Sequence, residues 1–377
     1  MHLIPFLLVM VAGFGVTYAA TPVVLAFSRR MGAVDIPDDR KVHANPTPTL
    51  GGAALVAGFI AAMVTAAGMK TFKSSFSPVF VWPLPETLGI FVGTGMIFAL
   101  GVVDDLKGLK APAKLSGQLV AAGFVFLSGV RLEYFRFPLQ GVGALSLSAD
   151  ISAIATIFWI VIVVNAVNLI DGLDGLAAGV AGIAGAAFFV YAYQLSRQGL
   201  TGPEPTAQLL SAAVVGMTLG FLRYNFNPAK IFMGDSGSMT LGFLLATATV
   251  VGVGRTGTQN PSEVSAAFVF YLPLVIPLIV LAIPLLDTLM AIVRRARRGR
   301  HVFHADREHL HHRLLEIGHG HRQAVLIIYG WTAIIAGMTL AWTFAPPVYM
   351  VPFLGAALAI LAYTVLPRLT PTTLRHK

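Results

Sequence analysis

The sequence predicts an all-α polytopic membrane protein of about eleven transmembrane helices, N-terminus outside and C-terminus cytoplasmic. Three observations predict it. The 377 residues are 56% hydrophobic and only 11% charged, against about 25% charged in soluble domains. Apolar runs of membrane-spanning length recur along the whole chain. The basic residues fall overwhelmingly on one side once those runs are threaded.

The runs cover roughly 3–27, 50–68, 88–103, 113–130, 151–168, 175–195, 207–223, 237–254, 264–293, 324–343 and 348–366. Helices are the expected form, because lipid offers no partner for an unpaired backbone group. The first run lacks a preceding basic region, and Arg29-Arg30 follows it, so a retained span is expected and not a cleaved signal. With the N-terminus outside, the external segments hold only Lys70, Lys73, Arg131, Arg136, Arg197 and Arg255, and the remaining 20 of the 26 Lys and Arg are cytoplasmic. That bias accounts for the net charge of +9 without nucleic acid. The absence of cysteine excludes disulfides, thiolate metal sites and a cysteine nucleophile. No internal repeat is visible, and the one long polar insertion, 294–323, is too short for a second domain. A single membrane domain, 1–377, is expected.

The acidic residues divide as the basic ones do. Five of seventeen are external, and every cluster lies at the cytoplasmic face. Carboxylates at a membrane boundary are costly and face polar cavities, so the clustering needs a functional reason. Asp104-Asp105 ends the third span in GVVDDLKGLKAPAKLSGQ. Two carboxylates there oppose the helix dipole, although a solvated helix end is the simpler reading. Asn165, Asn168, Asp171 and Asp174 in NAVNLIDGLDGLAAG recur every three residues, which predicts one helical face, and Gly172 and Gly175 admit a close ligand. A polar linker is the alternative. Asp235 in FMGDSGSMTLGF precedes an apolar run and also reads as a helix N-cap. Asp287 lies inside the ninth run just after Pro284, and an intramembrane Asp is a functional candidate. The late loop carries His304, His309, His311, His312, His319 and His321 beside Asp306 and Arg307. No zinc spacing is present, and a loop that holds anionic headgroups is its alternative.

Hard oxygen ligands without thiolates suit Mg²⁺, with Mn²⁺ as a substitute. Arg and His⁺ clamp phosphate oxygens. The set suits phosphoryl transfer between a water-soluble donor and a lipid acceptor.

Five stretches carry a resemblance: DDRKVHANPTPTLGG at 38–52, DD at 104–105, NAVNLIDGLDGLAAG at 165–179, FMGDSGS at 232–238 and HADREHLHHRL at 304–314. In that order, the sequence resembles the polyprenyl-phosphate N-acetylhexosamine-1-phosphate transferases, glycosyltransferase family 4. The resemblance implies transfer of N-acetylglucosamine 1-phosphate from UDP-N-acetylglucosamine to undecaprenyl phosphate with release of UMP, in the bacterial cytoplasmic (inner) membrane. It implies Asp235 as principal Mg²⁺ ligand with Asp171 beside it. Asp104 and Asp105 would lie by the acceptor phosphate, with Asp104 the general base. Asn168, Asp171 and Asp174 would hold the nucleotide and pyrophosphate. Lys41, His43 and Lys114 would hold phosphates, and His304, Arg307, His309, His311 and His312 would close over the donor. A homodimer would match the family. Where many relatives read DDxxD, the fifth position here is Gly108, so no ligand is expected from it. A phosphate monoester is already largely dianionic at pH 7, with its second pKa near ~6. Asp104 therefore has more to do in positioning than in deprotonation. The alternatives are the branch that acts on UDP-MurNAc-pentapeptide, a secondary transporter, which predicts midplane carboxylates and repeats, and a headgroup-binding scaffold.

Overall fold

In the computed structural model, the described residues are 2–35, 46–73, 75–76, 86–136, 144–199, 204–253, 320–344 and 347–365. The expectations placed on Lys41, His43, Asp287, His304, Arg307, His309, His311 and His312, and on the ninth span, lie outside them. Helices occupy the other ten predicted positions. They are α1 (Ile4–Met31), α2 (Gly52–Ala67), α3 (Glu86–Lys107), α4 (Ala111–Leu127), α5 (Ala149–Ile170), α6 (Leu176–Arg197), α7 (Thr206–Asn225), α8 (Gly234–Val253), α9 (His321–Phe344) and α10 (Val351–Val365). Six of them, α1, α3, α5, α6, α7 and α9, are long and apolar enough to cross a membrane.

Helix α8 sits at the centre, packed by α3 and α5, with α7, α2 and α6 also against it. It is buried from Ser236 to Val250. Its interior hydroxyls are tolerated there because each has a carbonyl partner one turn back, Thr240 on Ser236 at 2.6 Å and Thr247 on Phe243 at 2.8 Å. Helix α1 is peripheral, packed on α7 and α2 along one side. Its other side exposes Ile4, Val11, Val23 and Phe27, an apolar face of the kind that meets lipid.

The structure departs from the sequence reading in several places. Two short antiparallel ribbons accompany the helices, β1 (Val34–Asp35) with β2 (Thr47–Pro48), and β3 (Tyr134–Arg136) with β4 (Ala144–Ser146). Strands of two or three residues contain no alternation long enough to read. Helix α1 continues to Met31 and ends at Gly32, whose φ of 69° stops it. Helix α3 runs through both aspartates to Lys107 and ends at Gly108, φ 65°. Helix α9 starts at His321, inside the predicted loop, because Gln323 Oε1 accepts the Gly320 N–H at 2.9 Å and closes its first turn. The expected single face for Asn165, Asn168, Asp171 and Asp174 holds only for the two asparagines. Helix α5 ends at Ile170, and the chain turns through Gly175 at φ 79° before α6. Gly175, one of the two glycines expected to admit a ligand, carries the left-handed turn that separates the two helices.

Candidate active site

Four elements meet where α3 and α5 end and α4 and α8 begin. The α3–α4 connection is short, and the Gly108 and Leu109 N–H groups close it on the Asp104 carbonyl and Asp104 Oδ1, at 2.8 and 2.6 Å. That turn returns Lys114 to Asp104 Oδ2, 2.6 Å from Nζ. The same ammonium also pairs with Asp235 at the start of α8. The pair is shielded without being sealed, since the Lys114, Asp104 and Asp235 side chains are 19%, 8% and 30% exposed. A cation joining two carboxylates in such a place is held more firmly than a surface ion pair.

Asp235 does not cap its own helix. Its Oδ1 accepts from Asn168 Nδ2 at 2.7 Å, and that amide also reaches Ser238 Oγ at 2.9 Å. The cap of α8 comes from α3: Asp105 Oδ1 accepts the Asp235 N–H at 2.7 Å, and Oδ2 accepts the Ser236 N–H at 3.1 Å. Asn165 lies one turn earlier on the same face of α5 and does not reach Asp235. It donates to Gln118 Oε1 at 2.6 Å and ties α5 to α4.

Asp171 follows α5, half-buried, with no hydrogen bond to its carboxylate among the described residues. Burial, and then the charges of Asp235, Asp105 and Asp174, hold its carboxyl well above the ordinary carboxylate range. Asp174 performs a structural task. Its Oδ2 accepts from Asn227 Nδ2 at 2.8 Å and from the Ala229 N–H at 3.0 Å, and its own N–H donates to His321 Nε2 at 3.0 Å. Arg322 Nε donates to the Asn227 carbonyl at 2.8 Å, and the Tyr329 hydroxyl to that of Gly175. The 171–175 turn, the 226–230 loop and the start of α9 thus form one latched unit.

The segment before α2 joins this group through its backbone. The Phe232 N–H donates to the Pro48 carbonyl at 2.8 Å, and the Gly51 and Gly52 N–H groups donate to the Phe232 and Met233 carbonyls at 3.0 and 2.9 Å. A Cβ at Gly52 would lie 2.4 Å from the Gly237 nitrogen, and one at Gly101 would lie 2.3 Å from Ser236 Cα. Glycine is needed at both positions because α8 begins against bare backbone.

Of the predicted site residues, Asp104, Asp105, Lys114, Asn168 and Asp235 form one contact network, and Asp171 stands beside it electrostatically. Asp174 belongs to the adjoining latch. Sequence reasoning does not single out Ser238 or Asn227, and gives no role to His321 or Arg322. Their partners lie between 53 and 147 residues away, and no local signal connects such positions. Among the described residues no three His, Cys, Asp or Glu side chains converge closely enough to hold a metal ion. The donor set nevertheless has the chemistry of a hard-cation site. It is all oxygen, and its carboxylates outnumber Lys114, with the Asp171 carboxyl pushed upward by burial and by the neighbouring negative charges.

Residues 87–253 match the family model described as Glycosyl transferase family 4. The chain is 39% identical over 357 residues to the decaprenyl-phosphate N-acetylglucosaminephosphotransferase of Mycolicibacterium smegmatis, covering 94% of this chain and 86% of the relative. It is 35% identical over 312 residues to the probable undecaprenyl-phosphate N-acetylglucosaminyl 1-phosphate transferase of Bacillus subtilis, 82% of this chain and 77% of the relative. The phospho-N-acetylmuramoyl-pentapeptide-transferase of Enterococcus faecalis is more distant, 31% identical over 254 residues, covering 64% of this chain and 74% of the relative. With its apolar helices and its carboxylate-lined end, the chain belongs to glycosyl transferase family 4, the multi-pass membrane polyprenyl-phosphate N-acetylhexosamine-1-phosphate transferases.

Proposed function

We propose that this chain transfers N-acetylglucosamine 1-phosphate from UDP-N-acetylglucosamine to a polyprenyl phosphate, undecaprenyl phosphate foremost. An oxygen of the lipid phosphate attacks the sugar-bearing phosphorus of the donor. The bond to the bridging oxygen of the pyrophosphate breaks, and UMP leaves with that oxygen. The observation that carries this reading is the convergence of Asp104, Lys114, Asn168 and Asp235 from four elements, in a chain 39% identical to an N-acetylglucosaminephosphotransferase. The N-acetylglucosamine branch is preferred to the MurNAc-pentapeptide branch because its relatives align over more of the chain at equal or higher identity.

In this reading Asp235 and Asp171 hold Mg²⁺, which when bound neutralises pyrophosphate charge. Mn²⁺ is its substitute. Asp104 orients the lipid phosphate and accepts a proton from any monoanionic fraction. Lys114, tethered to both carboxylates, swings its ammonium toward the phosphates as they enter. Asn168 holds the Asp235 carboxylate in place, and Asp174 holds the turn that carries Asp171. Lys41, His43, His304, Arg307, His309, His311 and His312 supply further phosphate and donor contacts. The site faces the cytoplasm from the bacterial cytoplasmic membrane, the N-terminus lies outside, and the chain works as a homodimer within one membrane domain.

The deciding experiment is UMP release by the detergent-purified protein with Mg²⁺. Undecaprenyl phosphate and decaprenyl phosphate serve as acceptors, and UDP-N-acetylglucosamine and UDP-MurNAc-pentapeptide as donors. Release from the first donor alone, lost with EDTA, supports the reading. Release from the second alone moves the chain to the other branch. No release from either, with ion- or substrate-coupled uptake into vesicles instead, makes it a transporter.

Lys114→Met should lower kcat about a hundredfold, because two carboxylates then face each other without a cation and the phosphates lose a donor. Lys114→Arg should recover only part of that loss, since a planar guanidinium cannot take the place of a compact ammonium between two carboxylates. Equal rates for wild type and Lys114→Met would remove Lys114 from the mechanism.

A further inference from the structure

We propose that Asp105 is a positioning residue, which sets Asp235 by gripping the first backbone amides of α8 from the end of α3. The usual expectation for two adjacent aspartates is a shared task, and the geometry separates them. Asp104 faces Lys114. Asp105 faces backbone, its two oxygens taking the N–H groups of Asp235 and Ser236 at 2.7 and 3.1 Å. These are orphan donors of a helix start, and a carboxylate that spans both fixes the rotation of that first turn. The side chain of Asp235 leaves the turn whose amide Asp105 holds, so its direction toward Lys114 and Asn168 depends on that grip.

The surroundings keep the grip in one geometry. Gly234 has φ 68°, and a Cβ there would stand 2.5 and 2.6 Å from the Asp105 carboxylate oxygens. Gly101, one turn before Asp105 on α3, leaves no room between α3 and Ser236. The contact is therefore built from both sides, by a carboxylate on α3 and by missing side chains on α3 and at the start of α8.

The inference rests on the reading of Asp235 as a metal ligand, and the test separates the two. The variants are Asp105→Asn, Gly234→Ala, their double and Asp235→Asn, in the full-length detergent-purified chain. Asp105→Asn removes a charge, which by itself weakens a nearby cation. Gly234→Ala leaves every charge in place and acts on the same contact by displacement. Three readouts are taken: amide exchange at Asp235 and Ser236, Mn²⁺ affinity without substrate, and the kcat and KM for polyprenyl phosphate.

Each single variant is expected to speed exchange at those two amides and to weaken Mn²⁺ binding and kcat by about tenfold. The acceptor KM should stay within about twofold of wild type. The double variant should be no worse than the weaker single, as for two lesions in one contact. The proposal is overturned if Asp105→Asn raises the acceptor KM while Gly234→Ala does not, if exchange is unchanged, or if the double multiplies the two losses. If Asp235→Asn binds Mn²⁺ as tightly as wild type, the metal assignment falls. Faster exchange with reduced kcat in the other two variants would then still uphold the grip.

Discussion

Asp235→Asn is expected to abolish turnover, lowering kcat by about a thousandfold or more, with the fold retained. The substitution is isosteric, so packing at the start of α8 is undisturbed. It removes the charge that Lys114 pairs with and the acceptor that Asn168 addresses. The new amide would bring a second NH₂ group into a place already supplied with donors from Lys114 and Asn168, and one oxygen remains for both. Mn²⁺ affinity should fall with kcat, because a neutral amide is a weak ligand for a hard cation. The measurement is UMP release together with a thermal unfolding midpoint. A variant with a near-native midpoint and no turnover supports the assignment of Asp235, whereas native turnover would remove this carboxylate from the chemistry. A scaffold or a headgroup-binding protein would be indifferent to the change.

Gly101→Ala is expected to disrupt the bundle strongly, at the point where α8 begins. The added carbon would stand 2.3 Å from Ser236 Cα and 2.5 Å from its nitrogen, contacts with backbone that no rotamer change relieves. Overpacking of a tight core costs about 1–3 kcal/mol or more, and here the yielding part would be the first turn of α8. The variant should unfold at a lower temperature than wild type and lose about a hundredfold in kcat as Asp235 is displaced. Gly95, on the same helix, is the internal control, since a Cβ there would meet nothing within 4 Å among the described residues. Gly95→Ala should leave both quantities nearly unchanged and gain slightly in helix propensity. Equal behaviour of the two variants would show that α3 and α8 have room to separate.

The helices were legible because lipid imposes a length and an apolarity that survive in one dimension, and the ends were legible to within a few residues. Asp104 and Asp105 were legible as exceptions, carboxylates that oppose the helix end they sit on, whereas Asp235 read equally as a helix cap. The division of labour between the paired aspartates was not legible. Nothing in GVVDDLKGLK distinguishes the aspartate that meets Lys114 from the one that grips α8, since adjacent residues on a helix differ only by a rotation whose meaning depends on the neighbour. Likewise the regular spacing from Asn165 to Asp174 suggests one helical face. Backbone termination at Ile170 gives the two asparagines to α5 and places Asp171 and Asp174 in the turn that follows.

By itself the sequence determined the class of protein and the succession of the ten described helices, which rest on composition and periodicity, and the family resemblance, which rests on local motifs. Only the tertiary structure decided that the PTPTLGG segment pairs with IFMGD, that Asp105 caps α8 from 130 residues away, and that Asp174 latches a loop to α9. These contacts join residues distant in sequence, and their existence depends on how α3 and α5 pack around α8 and α9 packs on α6. Packing of that kind is set by shape and by the absence of side chains at Gly52 and Gly101. A glycine in a sequence does not announce which backbone will come to rest against it.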